Sequence, residues 1–242
     1  MSAPAVNAVV QARLSSSRLP GKVLRDLGGR SVLTWVVDAA RAAHGIDEVI
    51  VATSDHADDD AVAEEATRAG ASVVRGPLDD VLTRFGMAVR EYPCDAVLRL
   101  TADCPLLDPA VLDQVVGLWR ADPALQYVSN TLVRTLPRGY DAELVRADVL
   151  AEQESRPDGP HREHVTSGIY SAPRSYRCAG VVFAPDAADL RVTLDTPADA
   201  ALLDAIVAEL GDTARDWRTV VEFLRAHPGL VALNAHIEQK VR

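Results

Sequence analysis

Lysine is nearly missing from this sequence. Two lysines, Lys22 and Lys240, stand among 25 basic side chains, so arginine is its default cation. Cysteine is scarce as well. Cys94, Cys104 and Cys178 are odd in number and widely spaced, which excludes a disulfide framework or a Cys-rich zinc site and fits reduced thiols. No apolar run approaches the roughly 20 residues of a membrane span. The opening MSAPAVNAVVQAR has no basic n-region and only a short apolar stretch, which speaks against a secretory signal. The expectation is a cytoplasmic protein without a membrane partner. Positive charge is also in deficit: 35 acidic side chains against the 25 basic ones give a formal net charge of −10. General nucleic-acid binding needs a basic face and is excluded. An anionic small molecule fits only if its cations are gathered locally.

They are gathered once, in VVQARLSSSRLPGKVL (9–24), where Arg13, Arg18 and Lys22 share one loop with three serines, Pro20 and Gly21. The surrounding pattern says where that loop sits. Strands are expected at Ala5–Gln11, Glu48–Thr53, Ser72–Arg75 and Asp95–Thr101. Helices are expected at Val32–His44, Asp58–Ala69, Asp79–Tyr92 and Pro109–Ala121, the last with Asp108 as N-cap. Short apolar strands alternating with helices imply an α/β fold with a mostly parallel sheet covered on both faces. Strand-like segments from about 126 to 184, punctuated by Pro137, Gly139, Pro157, Gly159 and Pro160, read as a smaller β-rich insertion or arm within a single 242-residue domain. The main pattern returns with a strand at Arg191–Leu194 and helices at Pro197–Leu210 and Trp217–Ala226.

In an open α/β sheet, ligands collect beyond the carboxyl ends of the strands, where this loop leaves the first strand. Its serines, Ser17 among them, and its backbone N–H groups can donate to phosphate oxygens that the three cations neutralise. A plain surface βα loop is the other reading. The loop is not a Walker A sequence, because Ser16 replaces the first glycine and Val23 follows Lys22. Two aspartates stand after other strands: Asp103 in LRLTADCPLLDP and Asp195 in LRVTLDTPADAALL. Alone, Asp103 reads as a turn residue and Asp195 as a helix N-cap. Together at one sheet edge they are the hard oxygen ligands that Mg²⁺ shares with phosphates. His161 and His164, three apart, would share a helix face, but HREH is not a zinc-protease sequence and has no evident third ligand.

QARLSSSRLPGKVL, GPLDDVLTRF, LRLTADCPLLDP, GYDAELV, REHVT and RVTLDTPADAALL occur in this order between about Val6 and Leu210. This series resembles the cytidylyltransferases of the spore-coat-polysaccharide type, relatives of the synthetases of CMP-activated Kdo and sialic acids. The resemblance implies a Rossmann-like nucleotide-diphospho-sugar transferase fold and transfer of CMP from CTP to an anionic sugar-like acceptor with release of pyrophosphate. It implies that Arg13, Arg18 and Lys22 hold the triphosphate and that the Ala12 backbone approaches the nucleotide. It places Ser54 and Arg75 beside the cytosine, and Mg²⁺ on Asp103 and Asp195. Arg138, Asp141, Glu143, Arg162, Glu163 and His164 go to the acceptor, with the insertion forming a homodimer interface. Tyr140 and Ala142 stand where relatives often show GLDVE, which leaves the acceptor open. Two alternatives remain at this stage: transfer from another nucleoside triphosphate, although such enzymes usually carry a glycine pair in the opening loop, and a noncatalytic nucleotide-binding protein on the same fold.

Overall fold

The computed structural model describes residues 3–156 and 159–237; Pro157 and Lys240 lie outside them. The chain runs through β1 (Val6–Gln11), a hairpin of β2 (Asp26–Leu27) and β3 (Arg30–Ser31), α1 (Val32–Ala42), β4 (Glu48–Ser54), α2 (Asp60–Arg68), β5 (Ser72–Gly76), α3 (Val81–Glu91), β6 (Ala96–Thr101) and α4 (Pro109–Ala121). It continues through β7 (Tyr127–Ser129), β8 (Glu143–Arg146), α5 (Ala147–Glu154), α6 (Ser167–Tyr170), β9 (Cys178–Gly180), α7 (Pro197–Leu210), α8 (Trp217–Ala226) and α9 (Pro228–Val231).

Seven strands form one sheet in the order β5-β4-β1-β6-β8-β7-β9. The pairs among β5, β4, β1 and β6 are parallel; β8 is antiparallel to both β6 and β7. Val6 and Ala8 to Val10 in β1 are wholly buried, as expected for a strand covered on both faces by crossover helices. The helices start on side-chain caps: Ser31 accepts from the Thr34 N–H, Asp80 from Thr83, Asp108 from Ala110 and Asp216 from Arg218 and Thr219. Each satisfies an N–H that lacks an intrahelical partner. No helix among the described residues is long and apolar enough to cross a membrane.

The structure places the insertion more closely, and three sequence-based expectations change. The strands of 126–184 are built into the sheet through β8, β7 and β9, because β8 continues the hydrogen-bond ladder of β6. Arg191–Leu194 is not a sheet strand. It makes one bridge, Arg138 to Arg191, and then crosses the chain at Asp103, where the Leu194 N–H and the Thr193 hydroxyl both donate to the Asp103 carbonyl at 2.8 and 3.0 Å. This crossing is close: a Cβ on Gly139, whose φ is +118°, would come within 2.7 Å of the Val192 carbonyl carbon. The cap of α7 is Thr196, in a capping box with Asp199, rather than Asp195. Finally, His161 and His164 share no helix face, since a 3₁₀ turn ends at Arg162 and Val165 has φ of 41°.

The C-terminal part packs as a second apolar cluster: Trp217, Val220, Val221 and Leu224 of α8 meet Leu202, Leu203 and Ile206 of α7. Trp35 sits in the same cluster with the guanidiniums of Arg30 and Arg215 at 4.7 and 4.9 Å from its ring. The Arg215 contact ties the C-terminal layer to α1.

Candidate active site

The carboxyl ends of β1 and β6 open on a cavity of about 350 Å³ lined by Gln11, Ala12, Arg13, Ser16, Ser17, Arg18, Lys22, Val23, Val81, Arg84, Thr101, Ala102, Asp103, Glu163, His164 and Asp195. A smaller cavity of about 60 Å³ lies alongside and shares Thr101, Asp103 and Asp195 with it. Its other lining residues include Arg99, Arg138, Asp141 and Glu143. The two aspartates therefore stand on the boundary between two spaces.

Lys22 joins them. The loop after β1 turns back at Gly21, whose φ of +70° suits glycine, and a 3₁₀ turn from Lys22 to Leu24 then fixes the lysine. Lys22 Nζ donates to Asp103 Oδ2 at 2.7 Å, Asp195 Oδ1 at 2.8 Å and the Leu194 carbonyl at 2.9 Å. Burial works against its ammonium form, but the two carboxylates outweigh that and raise its pKa above the ordinary lysine value. Asp195 shows the reciprocal effect. Burial pushes its carboxyl up, while Lys22, Arg191 and Arg18 draw it down to about 2. Arg18 reaches Asp195 Oδ1 at 3.1 Å, and Arg191 holds Oδ2 at 2.8 Å. Arg191 is itself held by Asp199, and Asn234 donates to both the Arg191 carbonyl and Asp199 Oδ1. A residue beyond α9 thus supports the carboxylate at the site.

The donor set fits Mg²⁺. Two carboxylate oxygens and a carbonyl oxygen already surround one cationic nitrogen, and all are hard ligands. No group of three or more His, Cys, Asp or Glu side chains suited to a metal occurs among the described residues. Mg²⁺ is commonly bound by one or two carboxylates, with its other ligands from phosphate and water.

The other expected residues divide. Arg13 pairs with Glu163 at 3.4 Å, so the REH segment closes over the cationic loop and puts Glu163 and His164 in the larger cavity. Arg162 is placed elsewhere: it bonds Asp80 Oδ2, Thr83 Oγ1 and the Glu154 carbonyl, bracing the start of α3. Ser54 is buried, with its hydroxyl on Asp59, and Arg75 clasps the Ser54 and His56 carbonyls and Asp60. Neither Ser54 nor Arg75 is among the residues lining the two cavities. Arg138, Asp141 and Glu143 line the smaller cavity. Asp141 is held in a two-bond fork by Arg134 at 2.6 and 2.7 Å. Burial pushes its carboxyl up, but Arg134 and Arg138 keep it below the ordinary range. Glu143 accepts from Arg99, from the Tyr127 hydroxyl at 2.6 Å and from Thr166 of the REHVT segment at 2.5 Å.

Arg84 and Arg99 escaped the sequence reading. Both carried a signal, a lone arginine inside an apolar pattern. Arg84 falls three residues after Val81 on the buried face of α3, and Arg99 interrupts the apolar run of β6. Arg84 Nη1 donates to the Pro77 and Leu78 carbonyls at 2.7 and 2.8 Å.

With this geometry in view, the comparisons with known proteins agree. A family model described as cytidylyltransferase matches residues 7–161. An uncharacterised protein of Methanocaldococcus jannaschii is 30% identical over 239 residues, covering 96% of this chain and 95% of its own. The spore coat polysaccharide biosynthesis protein SpsF of Bacillus subtilis is 32% identical over 213 residues, covering 84% of this chain and 87% of its own. Among solved structures, a cytidylyltransferase from Leptospira borgpetersenii superposes with a TM-score of 0.90 at 28% identity, covering 97% of this chain and 99% of that one.

Proposed function

The chain belongs to the cytidylyltransferase family, and from that premise we propose that it transfers CMP from CTP to an anionic, sugar-like acceptor and releases pyrophosphate. The observation that supports this most directly is the meeting of Lys22, Asp103 and Asp195 on the boundary of the two cavities. A transfer site needs a donor space and an acceptor space that share the reacting centre, and the 350 Å³ and 60 Å³ cavities meet that need.

In the proposed reaction, an acceptor oxygen attacks the α-phosphorus in line with the departing pyrophosphate. The new O–P bond forms as the bond to the β-phosphate oxygen breaks, and pyrophosphate leaves with that electron pair. The protein has little covalent work in such a transfer; it positions and neutralises. Arg13 and Arg18 bind the triphosphate, Ser17 and the backbone near Ala12 donate to it, and Lys22 moves from its carboxylates toward the leaving phosphates. Arg84, at the wall formed by α3, faces the nucleotide. Asp103 and Asp195, together with the Leu194 carbonyl, would hold Mg²⁺, which stabilises charge on the α-phosphoryl group.

The relationship to a spore coat polysaccharide protein supports an acceptor used in polysaccharide biosynthesis. We assign the reaction to the cytoplasm and the enzyme to a homodimer joined near the β9 edge. Val133 and Val182, each 59% exposed on segments adjoining β7 and β9, support that edge.

Calorimetry with CTP, UTP, ATP and GTP, each with and without Mg²⁺, tests the nucleotide. An Mg²⁺-dependent preference for CTP is expected, followed by pyrophosphate release when anionic sugars are supplied. Preference for UTP or GTP overturns the base assignment. Tight CTP binding with no pyrophosphate release across such acceptors overturns the transfer.

A further inference from the structure

Two cavity-lining side chains carry a buried polar atom with no hydrogen-bond partner among the described residues: Arg84 through Nε in the larger cavity, and Arg99 through Nη2 in the smaller. Arg99 is the more unusual. Its side chain is only 6% exposed, on a strand near the middle of the sheet. Two of its three nitrogens are fixed: Nε donates to Gln11 Oε1 at 3.1 Å and Nη1 to Glu143. Glu143 is fixed in turn by Tyr127 and Thr166. The guanidinium cannot swing away to find water, so Nη2 is a held, desolvated donor beside an opening.

The carboxylates around that opening are each paired with a cation. Asp103, Asp195 and Asp199 are matched by Lys22, Arg18 and Arg191. Glu143 is matched by Arg99, whereas Asp141 is drawn down by two arginines, Arg134 and Arg138. The carboxylates that line the smaller cavity are thus each engaged by a cation, and Arg99 Nη2 is left as its buried donor without a partner among the described residues. The cavity's size sets the group. At about 60 Å³ it has room for a few waters, since one needs roughly 10–15 Å³ by this measure, and so admits a carboxylate or phosphoryl head but no sugar ring.

We infer that Arg99 selects the acceptor, donating from Nη2 to an oxyanion of the acceptor seated in the smaller cavity. Asp141 and Glu143 are then counter-ions that orient the guanidiniums. The inference rests on the cytidylyl-transfer reading in taking that cavity as the acceptor side. It also gives the REHVT segment a task, because Thr166 fixes the carboxylate that fixes Arg99.

The test uses the full chain saturated with CTP and Mg²⁺ and titrated in the calorimeter with three small probes: glycolate, glycerol 3-phosphate and neutral glycerol. One of the two anions is expected to bind at least about tenfold tighter than glycerol, the scale of one charge-assisted hydrogen bond. Which anion wins tells a carboxylate from a phosphate. Arg99→Met paired with Glu143→Gln leaves no lone buried charge; it should erase that preference and keep CTP affinity within about threefold. Arg99→Lys, which retains the charge but loses the fork, should retain part of it. Anions that bind no tighter than glycerol in the unaltered chain overturn the inference, whether or not any variant folds. A double variant that keeps the preference overturns it as well. Failure of the nucleotide reading shows separately, as absent CTP binding, and the difference in anion preference between the unaltered chain and the double variant then still decides on Arg99.

Discussion

The two cavities are built from the same residue types in opposite ways. On the larger side two of the four cations are partly open: the Arg13 and Arg18 side chains are 37% and 28% exposed and hold single long contacts of 3.4 and 3.1 Å. On the smaller side Arg99 is 6% exposed and locked at two nitrogens, while Arg134 grips Asp141 in a two-bond fork. Exposed arginines in weak pairs can exchange a carboxylate for a phosphate at little cost. Buried arginines locked at two nitrogens cannot rearrange cheaply, so they select by shape and by the single position left open. The larger side is suited to gathering a highly charged ligand, and the smaller to discriminating.

Lys22, Asp103 and Asp195 lie where the two designs meet, and removing one should have the largest effect. Asp103→Asn is expected to lower kcat on the order of 10³-fold, the scale of a lost transition-state charge contact. Pyrophosphate release at saturating CTP measures it, with circular dichroism confirming the fold. Unaltered turnover with an unaltered metal requirement would remove Asp103 from the reacting centre.

A smaller loss should follow from the buried support. Arg191 holds Asp195 Oδ2 and is held by Asp199. Arg191→Met should reduce kcat roughly 10- to 100-fold, as for groups that orient a metal-binding carboxylate, while CTP affinity moves little. Asn234→Ala, one contact further out, should cost only a few-fold. Equal losses from both variants would mean that the segment beyond α9 acts through general stability and not through Asp195.

The same carboxylate should govern acid stability. Its folded pKa of about 2 lies below the ordinary 3.8, so the unfolded chain binds more protons between those values. The stabilisation is present above about pH 4 and is lost as pH falls through about 2. It amounts to about 2 kcal/mol. Urea unfolding between pH 4 and pH 2 should show this loss in the unaltered chain and its reduction in Asp195→Asn. Identical acid limbs would show that Asp195 carries no such linkage.

The smallest effect belongs to the open side. Arg13→Ala should change folding stability by less than about 1 kcal/mol, because its pair with Glu163 is exposed on both sides. It should nevertheless weaken CTP binding about tenfold, as one lost phosphate contact would. A stability loss larger than the binding loss would reverse the contrast between the two sides.

Much of this was legible in the chain. The period of the apolar residues and the capping aspartates fix local geometry by short-range rules, so Pro109–Ala121 and Pro197–Leu210 are found at their expected bounds. The cationic loop was legible because three cations on one short stretch of an acidic chain need a reason nearby. Tertiary structure decided the rest. Asp195 reaches Lys22 because the segment before it docks on the Asp103 backbone; its own apolar run had suggested a sheet strand. Arg162 braces Asp80, 82 positions away, although it adjoins Glu163 at the site. Arg99 and Glu143 become a pair only when β8 is laid antiparallel against β6. Local sequence determines which elements form and where they stop, because those energies act within a turn or two of chain. The site depends on contacts between residues tens of positions apart, and only the packed sheet brings them within hydrogen-bonding distance.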